Sequence, residues 1–101
     1  MIRRDGRRMV LGGPVTLTNV GAVLEEGRRY IEEGVRSVDL SEVTDMDSSL
    51  LAALLTWLRE ARAKEHELTF ANLPDALQTI ARLYGVDGLL PVARPTGRSS
   101  H

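Results

Sequence analysis

The spacing of hydrophobic residues changes sharply in the middle of the chain. From Ser37 to Leu40 apolar and polar residues alternate, as in a buried strand. From Ser48 the spacing becomes helical, and the following residues form one apolar stripe: Leu50, Leu54, Trp57, Leu58 and Ala61. Neighbouring apolar residues widen that stripe, which predicts a largely buried helix. The polar stretch 41–47 predicts a turn that leaves the start of this helix at an exposed corner.

The same reading divides the rest of the chain into strands and helices. Asp5-Gly6 is a hairpin-turn signal between two short strands, and Gly12-Gly13-Pro14 predicts a bend. The other predicted elements are a strand segment at 15–18, a helix from 18 or 19 to about 33, a strand at 68–70 and a helix over about 75–84. This order predicts an α/β fold with a mixed sheet of about four strands and helices mainly on one face. Residues 1–92 are expected to form one domain, and 93–101 a disordered C-terminal tail.

Three positions carry specific packing predictions. Trp57 is expected in the core. Gly27 lies on the apolar face of the first helix, where it would let the helix approach the sheet closely; a lid or hinge role is the alternative. Tyr84 continues the apolar series of the last helix, Gly85 is expected to end that helix, and Val86, Leu89, Leu90 and Val92 are expected to fold back onto the core.

Composition excludes several classes of function. The 101 residues carry a net charge of −1, so there is no basic excess for general nucleic-acid binding. No apolar run approaches the ~20 residues of a membrane span, so direct membrane insertion is not expected. The chain has no cysteine, which excludes disulfides and indicates a cytoplasmic protein. Arg3, Arg4, Arg7 and Arg8 would protect a sheet edge from pairing, or contact an acidic partner or lipid headgroups.

The corner between strand and helix is the candidate functional site. The first N–H groups of a helix lack partners, and the side chain of Asp47 or Ser48 can cap them. The same donors and the helix dipole favour an added anion, so a serine there could carry a phosphate. Simple capping is the alternative interpretation, and the local pattern does not separate the two.

A resemblance to a known family covers residues 9–92. The run DLSEVTDMDSSLLAALL resembles the signature of STAS domains, the fold of the anti-sigma factor antagonists. The downstream run LTFANLPDALQTIARLYGVDGLLPV resembles the family's next strand, loop and helix, and its ending is most similar to the small STAS subunit of Mla-type phospholipid ABC transporters. One departure is Leu50, where many STAS domains have glycine, and it weakens the parallel with the kinase-regulated members.

The resemblance implies a non-catalytic accessory subunit. It would be a cytoplasmic protein, peripherally associated with the inner membrane, that binds the ATPase of a lipid transporter maintaining outer-membrane asymmetry. Ser48 takes the family's phosphorylation or partner-contact position, Asp47 precedes it, and Asp45 and Ser49 flank it. The alternative is an anti-sigma factor antagonist switched when a serine kinase phosphorylates Ser48.

Weaker partner-binding candidates lie on the first helix, namely Glu25, Arg28 and Arg29. A solvated helix face is the alternative for them.

No combination of residues predicts an enzyme, a cofactor or a metal site. His66 lies at the far end of the helix from Ser48, roughly 27 Å away, so it cannot act as its base. Glu65, His66 and Glu67 are consecutive and cannot share a helical face. No glycine-rich loop precedes a Lys-Ser/Thr pair. An enzyme that binds a small anion at the helix start is the least favoured class.

Overall fold

Four strands and three α-helices alternate in the computed structural model, which describes residues 1–93. The predicted tail therefore lies almost entirely outside the described residues. The elements are β1 (Ile2–Asp5), β2 (Arg8–Val15), α1 (Val20–Glu32), β3 (Ser37–Met46), α2 (Ser48–Ala63), β4 (Thr69–Ala71) and α3 (Asp75–Leu83), followed by a 3₁₀ turn at Asp87–Leu89.

The strands form one mixed sheet in the order β1-β2-β3-β4. The β1–β2 hairpin is antiparallel, whereas β2 and β4 both run parallel to β3. Beyond β4 the chain returns alongside it, and the amide of Ala93 donates to the carbonyl of Phe70 over 2.7 Å. The predicted α/β architecture is confirmed.

Two predicted interruptions are wrong, because the strands continue through them. Gly12-Gly13-Pro14 lies inside β2, and the polar stretch predicted as a turn belongs to β3 as far as Met46. The two segments pair with each other, Gly12 opposite Glu42 and Val15 opposite Met46, with register shifts on either side of Gly12-Gly13. These irregularities accommodate the proline within the ladder, since proline in a sheet is tolerated at such breaks.

One hydrophobic core joins the sheet to the helices. Trp57 is fully buried there, as predicted, and its indole N–H donates to the Leu24 carbonyl over 3.0 Å. Gly27 is buried against that indole: a Cβ built on it would lie 2.2 Å from Cζ2 of Trp57. The predicted close approach therefore exists, but it joins α1 to α2 rather than α1 to the sheet.

The end of the last helix lies beside Gly85, as predicted, with Tyr84 as its C-cap, but the residues there pack differently from their apolar pattern. Tyr84 is 64% exposed, and Leu89 and Val92 are also exposed, so their predicted core positions are wrong. Leu90 is buried, and Val86 is half-buried against the core, as predicted. The cause is the turn after α3, where the Val86 amide donates to the Ala81 carbonyl over 2.9 Å. That turn passes through Gly85 at a φ of +72°, which leaves Tyr84 outside the core.

A buried carboxylate holds together the centre of the sheet. Asp39 of β3 accepts hydrogen bonds from the Ser41 amide at 2.9 Å and from Asn72 Nδ2 at 3.1 Å, and Arg8 of β2 lies 3.5 Å away. Burial alone raises the pKa of Asp39, but the Asn72 and Ser41 hydrogen bonds and the Arg8 charge outweigh it and lower the pKa below its usual value. Asp39 therefore stays ionised and links β3 to Arg8 of β2 and to Asn72, the residue after β4.

Candidate functional site

The start of α2 is built on the side chain of Asp47. This residue is the N-cap, and its Oδ1 accepts the Ser49 amide over 2.9 Å. The Ser49 hydroxyl donates to the same oxygen. Of the two capping residues that the sequence allowed, the structure uses Asp47.

The second oxygen of Asp47 fixes a neighbouring loop. Asp47 Oδ2 accepts the backbone N–H of Leu17 over 3.0 Å. The loop between β2 and α1 is also closed by Asn19, whose Oδ1 accepts the Thr16 amide over 2.9 Å. Leu17 is consequently held beside the start of α2 with 76% of its surface exposed. Sequence reasoning missed Leu17, since its alternation with Thr16 and Thr18 indicated an ordinary strand residue.

Ser48 stands free at this corner. It is the first residue of α2 and is exposed. Its hydroxyl makes no hydrogen bond to any other residue in the range 1–93. Ser49, by contrast, is half-buried and engaged by Asp47, so Ser48 presents the more accessible hydroxyl of the pair.

The corner carries negative charge. Hydrogen bonds from the Ser49 hydroxyl, and then from the amides of Leu17 and Ser49, lower the pKa of Asp47, so this carboxylate is ionised at neutral pH. Asp45 is exposed near the end of β3, and its Oδ1 accepts the adjacent Met46 amide over 2.9 Å. We call Leu17, Asp45, Asp47, Ser48 and Ser49 the Ser48 rim. The four main predicted site residues are near neighbours in the chain, and the fold adds one exposed leucine beside them.

The weaker candidates on α1 lie elsewhere. Arg28 makes a bidentate pair with Glu60 of α2 at 2.8 and 2.9 Å and also pairs with Glu25. The hydrogen bond from Arg28 lowers the pKa of Glu60, and Glu60 and Glu25 in turn raise that of Arg28. Arg29 packs against the ring of Tyr30. Because Glu60 lies about three turns beyond Ser48, roughly 18 Å along the helix, this cluster is not part of the Ser48 rim.

The described residues offer no catalytic constellation around Ser48. His66 follows α2 at its opposite end, where it borders Lys64 and Glu67. Within residues 1–93, no three His, Asp or Glu side chains are grouped to hold a metal ion. None of the helices in that range combines the length and apolarity that crossing a bilayer requires.

Comparison with known families assigns the fold. The family model described as "Mlab, STAS domain" matches residues 2–91. This chain belongs to the STAS family. No protein with a curated description matches it by sequence.

Solved STAS-like structures resemble this chain in fold. The unphosphorylated anti-sigma factor antagonist SpoIIAA superposes with a TM-score of 0.69 at 17% identity, covering 93% of this chain and 87% of SpoIIAA. The phosphorylated form of SpoIIAA from Bacillus gives a TM-score of 0.65 at 16% identity, with coverages of 93% and 90%. A putative anti-sigma factor antagonist from Thermotoga maritima gives 0.66 at 11% identity, with coverages of 95% and 86%. At these identities the likeness concerns the fold of this STAS domain.

Proposed function

We propose that this STAS domain is the non-catalytic, cytoplasmic subunit of an intermembrane phospholipid ABC transporter. It binds the transporter's ATPase subunit and regulates or stabilises it, and through that partner it associates peripherally with the inner membrane. The transporter would maintain the lipid asymmetry of the outer membrane. The match of residues 2–91 to the "Mlab" STAS model is the observation that supports this function over other roles of the fold.

The Ser48 rim has the chemistry of a protein-docking surface. It combines one exposed apolar side chain, Leu17, with a free hydroxyl and two carboxylates. An apolar contact surrounded by polar groups is the usual arrangement of a protein interface. Asp47 makes the arrangement rigid, because it binds α2 and the Leu17 loop at once. A partner that docks here would place a small apolar pocket over Leu17 and hydrogen-bond donors opposite Ser48 and Asp45.

The second candidate function is an anti-sigma factor antagonist controlled by a serine kinase. The likeness to SpoIIAA in both its unphosphorylated and phosphorylated forms favours it, together with the exposed Ser48 hydroxyl. A phosphate on Ser48 would add roughly −1.5 to −2 charges next to Asp45 and Asp47. Repulsion from these carboxylates and from the partner would then release the complex.

A negative charge introduced at the rim tests the docking surface. We expect Ser48→Glu to weaken binding to the ATPase subunit about tenfold or more, because a carboxylate would meet groups arranged for a small hydroxyl. Thr79→Glu, which adds the same charge at an exposed position of α3, is the matched control and should bind normally. Titration calorimetry with the purified ATPase measures both, and equal affinities for the two variants would contradict the proposal.

A separate measurement distinguishes the two functions. If the protein is a transporter subunit, it should co-purify with an ATPase, and its gene should lie beside those of a permease and a periplasmic lipid-binding protein. If it is an antagonist, mass spectrometry of the protein purified from its own cells should find phosphate on Ser48, and its gene should lie beside a serine kinase and a sigma factor.

A further inference from the structure

Two clefts meet along the second half of α2, away from the Ser48 rim. The first has a volume of about 310 Å³ and lies between α2 and the 3₁₀ turn; it is lined by Leu55, Leu58, Arg59, Arg62 and Leu89. The second, of about 340 Å³, shares Leu58 and Arg62 with the first and extends to Thr69 and Pro91. Because two lining residues are common to both, the clefts are adjacent, and we call the surface that they form together the α2 groove.

The α2 groove has an apolar floor and a basic wall. Leu55 and Leu58 come from α2, and Leu89 comes from the 3₁₀ turn with 52% of its surface exposed. Arg59 and Arg62 follow Leu55 at positions i+4 and i+7, so they stand on the same side of the helix as that leucine. Neither arginine forms an ion pair with any residue in the range 1–93, whereas Arg3, Arg4, Arg8 and Arg28 each do.

We propose that the α2 groove binds a short segment of a partner protein that combines leucine-like side chains with Asp or Glu. The apolar side chains of that segment would cover Leu55 and Leu89, and its carboxylates would pair with Arg59 and Arg62. This interface is distinct from the Ser48 rim, since Leu55 lies about 10 Å and Arg62 about 21 Å from Ser48 along the axis of α2. The proposal holds whichever partner uses the rim.

Charge argues against other occupants of the α2 groove. Residues 94–101 of the chain carry two arginines and no acidic residue, so they do not complement Arg59 and Arg62. A second copy in a twofold dimer would bring the same surface, and hence the same two arginines, against each other. An anionic membrane surface is normally recognised by clusters of about four to eight basic residues, and here Glu67 adds a negative charge beside only two.

A panel of short synthetic peptides tests the proposal. Each peptide combines leucine with glutamate in an amphipathic pattern and has a twin in which glutamine replaces glutamate. We expect at least one glutamate peptide to bind the full chain and to shift the amide NMR signals of Leu55, Leu58, Arg59, Arg62 and Leu89, with those of Ser48 and Leu17 unchanged. Its glutamine twin should bind about three- to tenfold more weakly, as for the loss of two exposed ion pairs.

Matched double variants isolate the role of the two arginines. Arg59→Gln/Arg62→Gln should remove the preference for glutamate, and Leu89→Asn should weaken both peptides, because it removes part of the exposed floor. Arg29→Gln/Arg82→Gln removes the same charge from exposed positions outside the groove and should leave the preference intact.

Four results would overturn the proposal. The first is that no peptide of the panel binds, and the second is that the Arg59→Gln/Arg62→Gln variant prefers the glutamate peptide as strongly as the unmodified protein does. The third is that the protein binds phosphatidylglycerol vesicles through Arg59 and Arg62 and binds no peptide. The fourth is that the protein self-associates and that Leu89→Asn abolishes the self-association. The two proposals are tested separately, because binding of the ATPase by Ser48→Glu tests the Ser48 rim and binding of the peptides tests the α2 groove. If Ser48→Glu loses ATPase binding and still binds the peptides normally, both proposals are supported.

Discussion

At the scale of single residues, two aspartates of the run that resembles the STAS signature, Asp39 at its start and Asp47 at its middle, together accept five hydrogen bonds. Asp39 receives the Ser41 amide and the Asn72 amide group, and Asp47 receives Ser49 and Leu17. In both cases a charged oxygen satisfies backbone donors that would otherwise lack a partner. The motif residues therefore shape the site, and Ser48, whose hydroxyl they leave free, is the residue available to a partner.

The buried Asp39 carboxylate predicts a specific response to acid. Since the folded state lowers its pKa, its contribution to stability is complete above the unfolded value of about 3.9 and is lost as the pH falls through the lower folded value. We expect Asp39→Asn to reduce the free energy of unfolding by about 1–3 kcal/mol at pH 7 and by less at pH 3. Urea unfolding at the two pH values measures this difference.

Asp45→Asn is the matched control for the acid experiment. It removes a carboxylate from the same strand without touching Ser41, Asn72 or Arg8. A loss of stability in Asp39→Asn that is as large at pH 3 as at pH 7 would show that the charge of Asp39 is not what stabilises the sheet.

At the scale of elements, the packing of α1 on α2 depends on one glycine. The indole of Trp57 occupies the space above Gly27, and its N–H is satisfied by the Leu24 carbonyl of the same helix. On the adjacent surface, Arg28 and Glu60 connect the two helices. Helix propensity favours alanine over glycine by up to about 1 kcal/mol, so Gly27 stands at this helix position against local preference.

We expect Gly27→Ala to destabilise the protein by about 1–3 kcal/mol despite alanine's better propensity. The added methyl would fall 2.2 Å from Cζ2 of a fully buried ring, which forces the helices apart. Gly21→Ala is the control on the same helix, because its Cβ would meet no atom within 4 Å, and it should be neutral or stabilise by up to about 1 kcal/mol. If both substitutions stabilise, the contact is looser than described.

At the scale of the whole molecule, the sheet and all three helices pack around one hydrophobic core. The buried cluster contains Leu11 of β2, Leu40 of β3, Ile31 of α1, Leu54 of α2 and Leu77 of α3. Removing any helix would therefore expose the same core, which is the condition for cooperative unfolding of a domain of this size. The Ser48 rim and the α2 groove are surface features of this common scaffold.

The single tryptophan allows this cooperativity to be measured. Trp57 is fully buried between α1 and α2 and should fluoresce as an apolar indole until the core opens. We expect its fluorescence and the far-ultraviolet circular dichroism to report the same urea midpoint. An earlier fluorescence transition would mean that α1 separates from α2 while the sheet persists.

How much of this could be predicted differs between helices and strands. The start of α2 at Ser48 and the burial of Trp57 were predicted because helical periodicity persists over many residues. The extensions of β2 through Pro14 and of β3 to Met46 were not, because polar and glycine-rich residues become strand only through pairing with each other. The main predicted site residues are neighbours in the sequence, so their proximity needed no structure, and their role in partner binding stays a prediction.

The amino-acid sequence by itself determined the order of elements, the family and the position of Ser48 at the start of a helix, because these follow from periodicity and local motifs. Only the tertiary structure decided that Gly27 contacts Trp57, that Asp47 holds Leu17 outward and that Arg59 and Arg62 stand beside an open apolar groove. Each of these joins residues far apart in the chain, and such contacts depend on how the elements pack rather than on any local pattern.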